Sequence, residues 1–287
     1  MTRPTILVTG ARGQLGYELA QLLPAHGDVI ALDRAQLDVT DPDAIRAALR
    51  SARPRIVVNA AAYTAVDRAE QENEVAFAVN ARAPEVIAEE AKRLDAVLLH
   101  FSTDYVFDGR ASAPYREDAP TAPLNVYGRS KLAGEEAIAA SGCAALCLRT
   151  SWIYALRGQN FLMTIRRLAA ERDELAIVAD QFGVPNWARA LARAVARLVE
   201  GGAPSLAERS GLYHLSASGV ATWFDFARAI VGEIDHPRVV PITTAQYPTP
   251  ARRPAYAVLA TDRFTEAFGF ALSDWRTMLD ECLAESA

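Results

Sequence analysis

Tyr127 and Lys131 stand four residues apart in a helical pattern, Val126–Ala140. Both therefore project from one face, offset by only about 40°. A free tyrosine ionises near pH ~10 and is a poor acid–base group at neutral pH. An ammonium close by stabilises the phenolate, so the phenol can give a proton to a developing alkoxide or take one from an alcohol. Ser102-Thr103, ending a β-rich run, adds a hydroxyl able to hold a carbonyl oxygen. The spacing alone is common on solvated helices, but composition weighs against that reading. The chain has 28 arginines and two lysines, Lys92 and Lys131. The two cations serve alike on a wet surface, but not where a compact ammonium or a tunable pKa is needed. Lys92, in the Lys92-Arg93 pair at a helix end, fits a solvated charge interacting with the helix dipole.

A second group suits phosphate chemistry. Gly10, Gly13 and Gly16 form G-x-x-G-x-x-G between an apolar strand and an amphipathic helix. Glycines there allow a tight turn and close approach to a pyrophosphate on the helix N-terminus, with the backbone of Gln14 and Leu15 beside it. A ligand-free tight turn is the competing reading. Asp33 lies 17 positions beyond Gly16, where an acid accepts the ribose hydroxyls of NADH. Arg12 and Arg34 are equally placed to receive the 2′-phosphate of NADPH, so both cofactors stay open. Asp38-Val39 is suited to flanking the adenine, and equally to a plain turn before Thr40. Asn59-Ala60-Ala61-Ala62 ends another run with small residues, which leave room for a cofactor above a sheet; close helix–sheet packing asks for the same residues.

These residues need a sheet to present them. Thr5–Thr9, Val29–Asp33, Arg55–Ala60, Ala96–Ser102 and Ala144–Arg149 are continuous apolar runs of the buried parallel type. Gln14–Leu23, Pro42–Ser51, Glu74–Leu94 and Val126–Ala140 read as helices between them, Thr40-Asp41-Pro42 being a helix start. This alternation predicts an α/β fold, a doubly wound parallel sheet of Rossmann type. After Thr150 it fades. Phe161–Arg172 and Trp187–Val199 read as helices and Gly201-Gly202-Ala203-Pro204 as a loop. Leu212–Leu215, an amphipathic Trp223–Ile234 and the Pro-studded Pro237–Pro254 follow. The expectation is a dinucleotide-binding domain over 1–150, recruiting some later segments, with 151–287 mainly a smaller α/β substrate-binding lid over the strand ends.

The totals narrow the class. With 287 residues, 51% hydrophobic, the chain holds a sizeable core and is not disordered. A net charge of −5 argues against a nucleic-acid partner. No apolar run approaches the ~20 residues that cross a bilayer, and the first ten residues lack a signal-peptide pattern. Cys143, Cys147 and Cys282 have no metal or disulfide spacing, which suits a reducing compartment. His26, His100, His214 and His236 are scattered, so no His-rich metal centre is expected. A cytoplasmic protein without a membrane partner is predicted.

Gly10-x-x-Gly13-x-x-Gly16 with Tyr127-x-x-x-Lys131 resembles the extended short-chain dehydrogenase/reductase superfamily. Longer strings narrow the resemblance. Asn59 to Asp67 (NAAAYTAVD), Ser102 to Phe107 (STDYVF), Pro123 to Gly128 (PLNVYG), Arg149 to Tyr154 (RTSWIY), Asp180 to Gly183 (DQFG) and Tyr247 to Pro254 (YPTPARRP) are similar to the dTDP-4-dehydrorhamnose reductase family, nearly end to end. The resemblance implies hydride transfer from NAD(P)H to the C4 ketone of a dTDP-sugar, dTDP-4-dehydro-L-rhamnose, the last step of dTDP-L-rhamnose synthesis. It implies Tyr127 as proton donor, Lys131 as its electrostatic partner and ribose ligand, and Thr103 as the hydroxyl at the carbonyl. Ala62, Tyr63 and Thr64 would line the cofactor. Thr103, Asp104, Trp152 and Arg252 would contact the nucleotide sugar, the arginine near its diphosphate. A nucleotide-sugar 4-epimerase or other ketoreductase shares fold and tyrosine–lysine pair, and a non-catalytic regulatory subunit shares the fold. A dehydratase would carry Asp-Glu after the threonine, where this chain has Asp104-Tyr105.

Two positions depart from the family. Some members bind Mg²⁺ at a dimer interface through glutamates; Glu18 matches one, but Arg189 stands where those members carry an acid. The metal site and its dimer are therefore doubtful, and a monomer or weak homodimer is expected. Ala257 replaces the usual serine, removing one polar contact.

Overall fold

The computed structural model describes residues 3–232 and 237–285. Six parallel strands form the central sheet: β1 (Thr5–Thr9), β2 (Asp28–Leu32), β3 (Ile56–Asn59), β4 (Val97–Thr103), β5 (Ala145–Thr150) and β6 (Gly211–His214), in the order β6-β5-β4-β3-β1-β2. The central strands β3, β4 and β5 are buried at every residue, as expected of strands covered on both faces, whereas edge strand β2 keeps exposed positions. The expected α/β architecture is thus present, with strand boundaries moved by about one residue.

One face carries the helices Pro42–Ala52, Ala83–Arg93 and Val126–Ser141, packed on Leu7, Val57 and Leu98. The opposite face carries Gln14–Leu22, Ala188–Glu200, Gly202–Glu208 and Asp262–Phe268. Two expectations for the second half need correction. Leu212–Leu215 does not belong to the lid: Gly211–His214 pairs with β5 and completes the main sheet. Its four residues match a buried strand whichever body they join, so local pattern could not assign them. Gly201-Gly202-Ala203-Pro204 is not a plain loop either. Gly202 turns the chain at φ +74 and begins the helix Gly202–Glu208, whose first turn tolerates Pro204.

The remaining C-terminal segments gather around a separate apolar cluster that includes Tyr154, Leu162, Trp187, Phe226 and Trp275. The Pro-studded stretch contributes a strand, Arg238–Ile242, paired in parallel with Glu174–Val178. The helix expected to run to Ile234 covers Trp223–Val231; residues 233 and 234, like His236, lie outside the described residues. Two further helices, Asp262–Phe268 and Trp275–Ala284, were not anticipated.

Candidate active site

The chain leaves β1 to build β2 on one side and β3 on the other, so a crevice opens where the strand order reverses, the usual ligand position in such sheets. The glycine loop fills its rim. Gly10 has φ +69, and a Cβ there would lie 2.7 Å from Ala61 N; a Cβ at Gly16 would lie 2.1 Å from the Gly10 carbonyl oxygen. The loop is thus folded against the segment after β3, with no space for a Cβ at Gly10 or Gly16. Gly13 supplies no side-chain cap to helix Gln14–Leu22, which leaves its first N–H groups for an anion. This cradle fits a dinucleotide pyrophosphate. Leu15 is buried, while the Gln14 side-chain oxygen accepts from Asn160 Nδ2 at 2.8 Å, tying the loop to a segment after β5.

Asp33 follows β2. Its Oδ1 accepts from the N–H groups of Ala35 and Gln36, and its Oδ2 pairs with the exposed Arg12 Nε at 3.1 Å. The candidate ribose acceptor and the candidate 2′-phosphate receptor are therefore partners of each other. Arg34 is exposed. The Asp38 carboxylate closes the turn by accepting from Thr40 N–H and hydroxyl, which holds it below the usual carboxylate range. Val39 is half-buried against the apolar layer. Ala62 and Thr64 are exposed beside the cleft. Tyr63 is fixed at both ends: its N–H donates to Asn80 Oδ1 (2.9 Å) and its phenol to Glu72 Oε2 (2.5 Å).

The helix Val126–Ser141 brings Tyr127 and Lys131 over the strand ends. Asn125 caps it by accepting from Gly128 N–H, and Glu70 accepts from Val126 N–H. Deeper in, a Cβ at Gly134 would lie 2.1 Å from the Asn80 carbonyl oxygen, so only glycine lets the helix seat on the π-helical turn Ala78–Arg82. From that turn Asn80, fully buried, donates to the Tyr63 carbonyl and to Ser130 Oγ. Its signal in the sequence was a polar residue inside an apolar helical pattern.

Lys131 is 2% exposed, the Nζ donating to the Phe101 carbonyl at 2.6 Å and lying 3.2 Å from His100 Nε2. Burial lowers its pKa to about 8. The phenol of Tyr127 departs from expectation. Burial pushes it up to about 12, with the Thr103 hydroxyl lowering it and the Asp104 charge raising it. Lys131 is held toward the sheet by Phe101 and His100, and desolvation of the phenol dominates. Thr103, 4% exposed, lies at the tip of β4, its Oγ1 3.0 Å from Asp104 Oδ1. Asp104 is 2% exposed and burial raises its carboxyl to about 7; its Oδ2 has no hydrogen-bond partner among the described residues.

On the far side, Trp152 adopts a left-handed backbone, φ 42, unusual for a bulky residue. Its ring stacks on Trp223 with centroids 3.6 Å apart, which leaves it half-buried. Arg252 is exposed, and its carbonyl accepts from Asn125 Nδ2 at 2.7 Å. Its neighbour Arg253, given no separate role from the sequence, makes a two-pronged pair with Asp67, at 2.9 and 2.6 Å. Asn186, fully buried, joins the lid to the sheet: Nδ2 donates to Ser151 and Val184 carbonyls, and Oδ1 accepts from Ala217 N–H. Ala257 is buried, its N–H donating to the Phe182 carbonyl.

Glu18 pairs with Arg189 Nε at 2.7 Å, and Arg189 also contacts Glu285. A guanidinium thus occupies the position facing Glu18, and no cluster of three metal-ligating side chains occurs among the described residues. No helix among them is long and apolar enough to cross a membrane.

Residues 4–287 match the family described as RmlD substrate binding domain. A dTDP-4-dehydrorhamnose reductase of Burkholderia thailandensis is 46% identical, the alignment covering 98% of each chain. One of Escherichia coli is 44% identical, covering 98% of this chain and 97% of that one. The solved structure of dTDP-4-dehydrorhamnose reductase from Bacillus anthracis in complex with NADP superposes with a TM-score of 0.93 at 33% identity, covering 99% of this chain and 100% of the other.

Proposed function

The chain belongs to the RmlD substrate binding domain family, and on that premise we propose that it is a dTDP-4-dehydrorhamnose reductase, reducing the C4 ketone of dTDP-4-dehydro-L-rhamnose to dTDP-L-rhamnose. The reading is supported by the Thr103 hydroxyl beside the Tyr127 phenol at the tip of β4, with Lys131 one turn further along the same helix, and by a glycine cradle that fits a dinucleotide.

When bound, NADH or NADPH supplies the hydride. Gly10, Gly13, Gly16 and the N–H groups of Gln14 and Leu15 would hold the pyrophosphate. Asp33 or Arg12 receives the adenosine ribose according to whether it carries a hydroxyl or a phosphate. Asp38, Val39, Ala62, Tyr63 and Thr64 line the rest. Thr103 orients the ketone oxygen, and Tyr127 gives its phenolic proton to that oxygen as negative charge develops on it. A phenol raised to about 12 stays protonated throughout the neutral range and is ready to donate. Lys131 would contact the nicotinamide ribose and, in its ammonium form, would supply positive charge as the phenolate forms. Asp104, Trp152 and Arg252 bind the sugar nucleotide.

The pairing of Arg189 with Glu18 supports the reading that a Mg²⁺ site is doubtful and that the chain is a monomer or weak homodimer. The net charge of −5 and the absence of a membrane-crossing helix among the described residues support a cytoplasmic protein with no nucleic-acid or membrane partner. Residues 1–150, joined by later segments, supply the dinucleotide half and 151–287 mainly the sugar half.

The test is cofactor oxidation with enzymatically generated dTDP-4-dehydrorhamnose, run with NADH and NADPH in turn. Sugar-dependent oxidation of at least one, with dTDP-L-rhamnose as product, is expected. Oxidation of neither would leave a binding protein.

A further inference from the structure

Thr9, Asn59, His100 and Cys147 occupy one level across four adjacent strands, β1, β3, β4 and β5. Neighbours in register on parallel strands share a face, so these four side chains form a polar row inside an otherwise apolar layer. None is more than 7% exposed, and Lys131 enters the row from its helix.

The donors and acceptors of this row can be counted. Asn59 Oδ1 accepts from Thr9 Oγ1 at 2.6 Å and faces the Ala61 N–H at 3.3 Å. Ala61 N–H can only donate, so this long contact favours the orientation with the Asn59 oxygen facing it and is given up when the amide turns. The Asn59 Nδ2 group then donates to His100 Nδ1, 3.0 Å away. A neutral imidazole that accepts at Nδ1 carries its proton on Nε2. That proton points at Lys131 Nζ, 3.2 Å away. An uncharged amine accepts it and still donates to the Phe101 carbonyl; an ammonium would set donor against donor.

We propose that Asn59 and His100 are positioning residues that set the proton affinity of Lys131. With the Asn59 amide as found, the uncharged amine is favoured, and the ammonium is accommodated only when His100 exchanges tautomer and the amide turns over. Charging Lys131 takes one proton from solvent in all. The Nε2 proton passes to the amine, and the arriving proton binds Nδ1, where the turned Asn59 oxygen accepts it. The inference deepens the reading of this site as a reductase and takes its functional meaning from that reading.

Beside the burial of Lys131, the groups that face it from neighbouring elements are paired or neutral. On the same helix Glu135 is held by Arg149 in a buried two-pronged pair, at 2.9 and 2.6 Å. Cys147 on β5 is kept a thiol by burial, and burial keeps His100 neutral, an effect that an ammonium at Lys131 would reinforce. On the neighbouring helix and turn, Glu90 pairs with Arg50 and Arg93, and Arg82 with Glu85. Lys92 donates to the Ser141 carbonyl at the helix end. Asp104 and Tyr127 act at the cleft side, above the row.

With two lysines in the chain, ¹³Cε-lysine labelling gives two NMR signals, and Lys92→Arg assigns them. Histidine ¹⁵N spectra report the His100 tautomer over the same pH range. The expected result is a Lys131 midpoint at least one unit below that of Lys92, and a change of His100 from Nδ1–H to Nε2–H with the same midpoint as pH rises. In His100→Gln, whose amide oxygen accepts from an ammonium, the Lys131 midpoint should rise by about one unit. A His100 tautomer that stays constant while Lys131 titrates, or lysines that titrate together, would overturn the proposal. An unmoved midpoint in a folded His100→Gln would do the same. Should that variant not fold, the wild-type spectra decide alone. No readout uses turnover, so a failed reductase assay and a failed coupling are distinguishable.

Discussion

Two levels of the central sheet treat their buried polar groups in opposite ways. At the level of Thr9, Asn59 and His100, each side chain is hydrogen-bonded to the next and the row closes on Lys131 and the Phe101 carbonyl. At the strand tips, Ser102 Oγ, Asp104 Oδ2 and Thr150 Oγ1 are buried without a hydrogen-bond partner among the described residues. A buried polar group left unpaired costs about 1–3 kcal/mol, so such atoms persist mainly where function uses them. The lower level fixes the position of a side chain; the upper level leaves these acceptors and donors unpaired.

The comparison can be broken from either side. The largest effect is expected for Lys131→Arg. A guanidinium stays charged and cannot replace a single Nζ between His100 and Phe101, so turnover should fall roughly 100-fold or more in steady-state assays. Near-wild-type turnover would show that the fit of the lower level does not matter. Next comes Asn186→Ala, which strips partners from Ser151, Val184 and Ala217 at the lid junction. It should cost about 3 kcal/mol in denaturant unfolding, as for other buried hydrogen-bond hubs. A smaller, pH-dependent effect belongs to Asp104. Its carboxyl is raised from 3.8 to about 7. Between those values the folded chain keeps a proton that the unfolded chain has released, so stability falls as pH rises through that window. Asp104→Asn should flatten that part of the Tm–pH curve; an unchanged slope would mean Asp104 is not desolvated.

Much of the upper level was legible in the sequence. Thr103 and the three glycines are local patterns at the ends of apolar runs, and Tyr127 stands out by its four-residue spacing from Lys131 on a helical pattern. The lower level was not. Asn59 and His100 lie 41 residues apart and His100 and Lys131 31 apart, so their contacts depend on strand order and register. His100 inside VLLHFST is visible only as a polar residue in a buried strand. Arg253 was passed over for Arg252 because adjacent arginines between prolines are alike until the loop's course past Asp67 is known. Gly211–His214 joins the main sheet through pairing with β5, which no local periodicity reveals. The pKa of Tyr127 was expected to fall and instead rises, because sequence shows the neighbouring cation but not the desolvation that outweighs it.

The central claim is that Tyr127 delivers a proton to the sugar oxygen from a cleft already shaped by its neighbours. It is tested most directly by Tyr127→Phe, measuring reduction of dTDP-4-dehydrorhamnose and cofactor Kd on the same preparation. Loss of turnover by roughly 100- to 10,000-fold, with Kd changed less than about threefold, is the predicted result. Turnover within about threefold of wild type would contradict it.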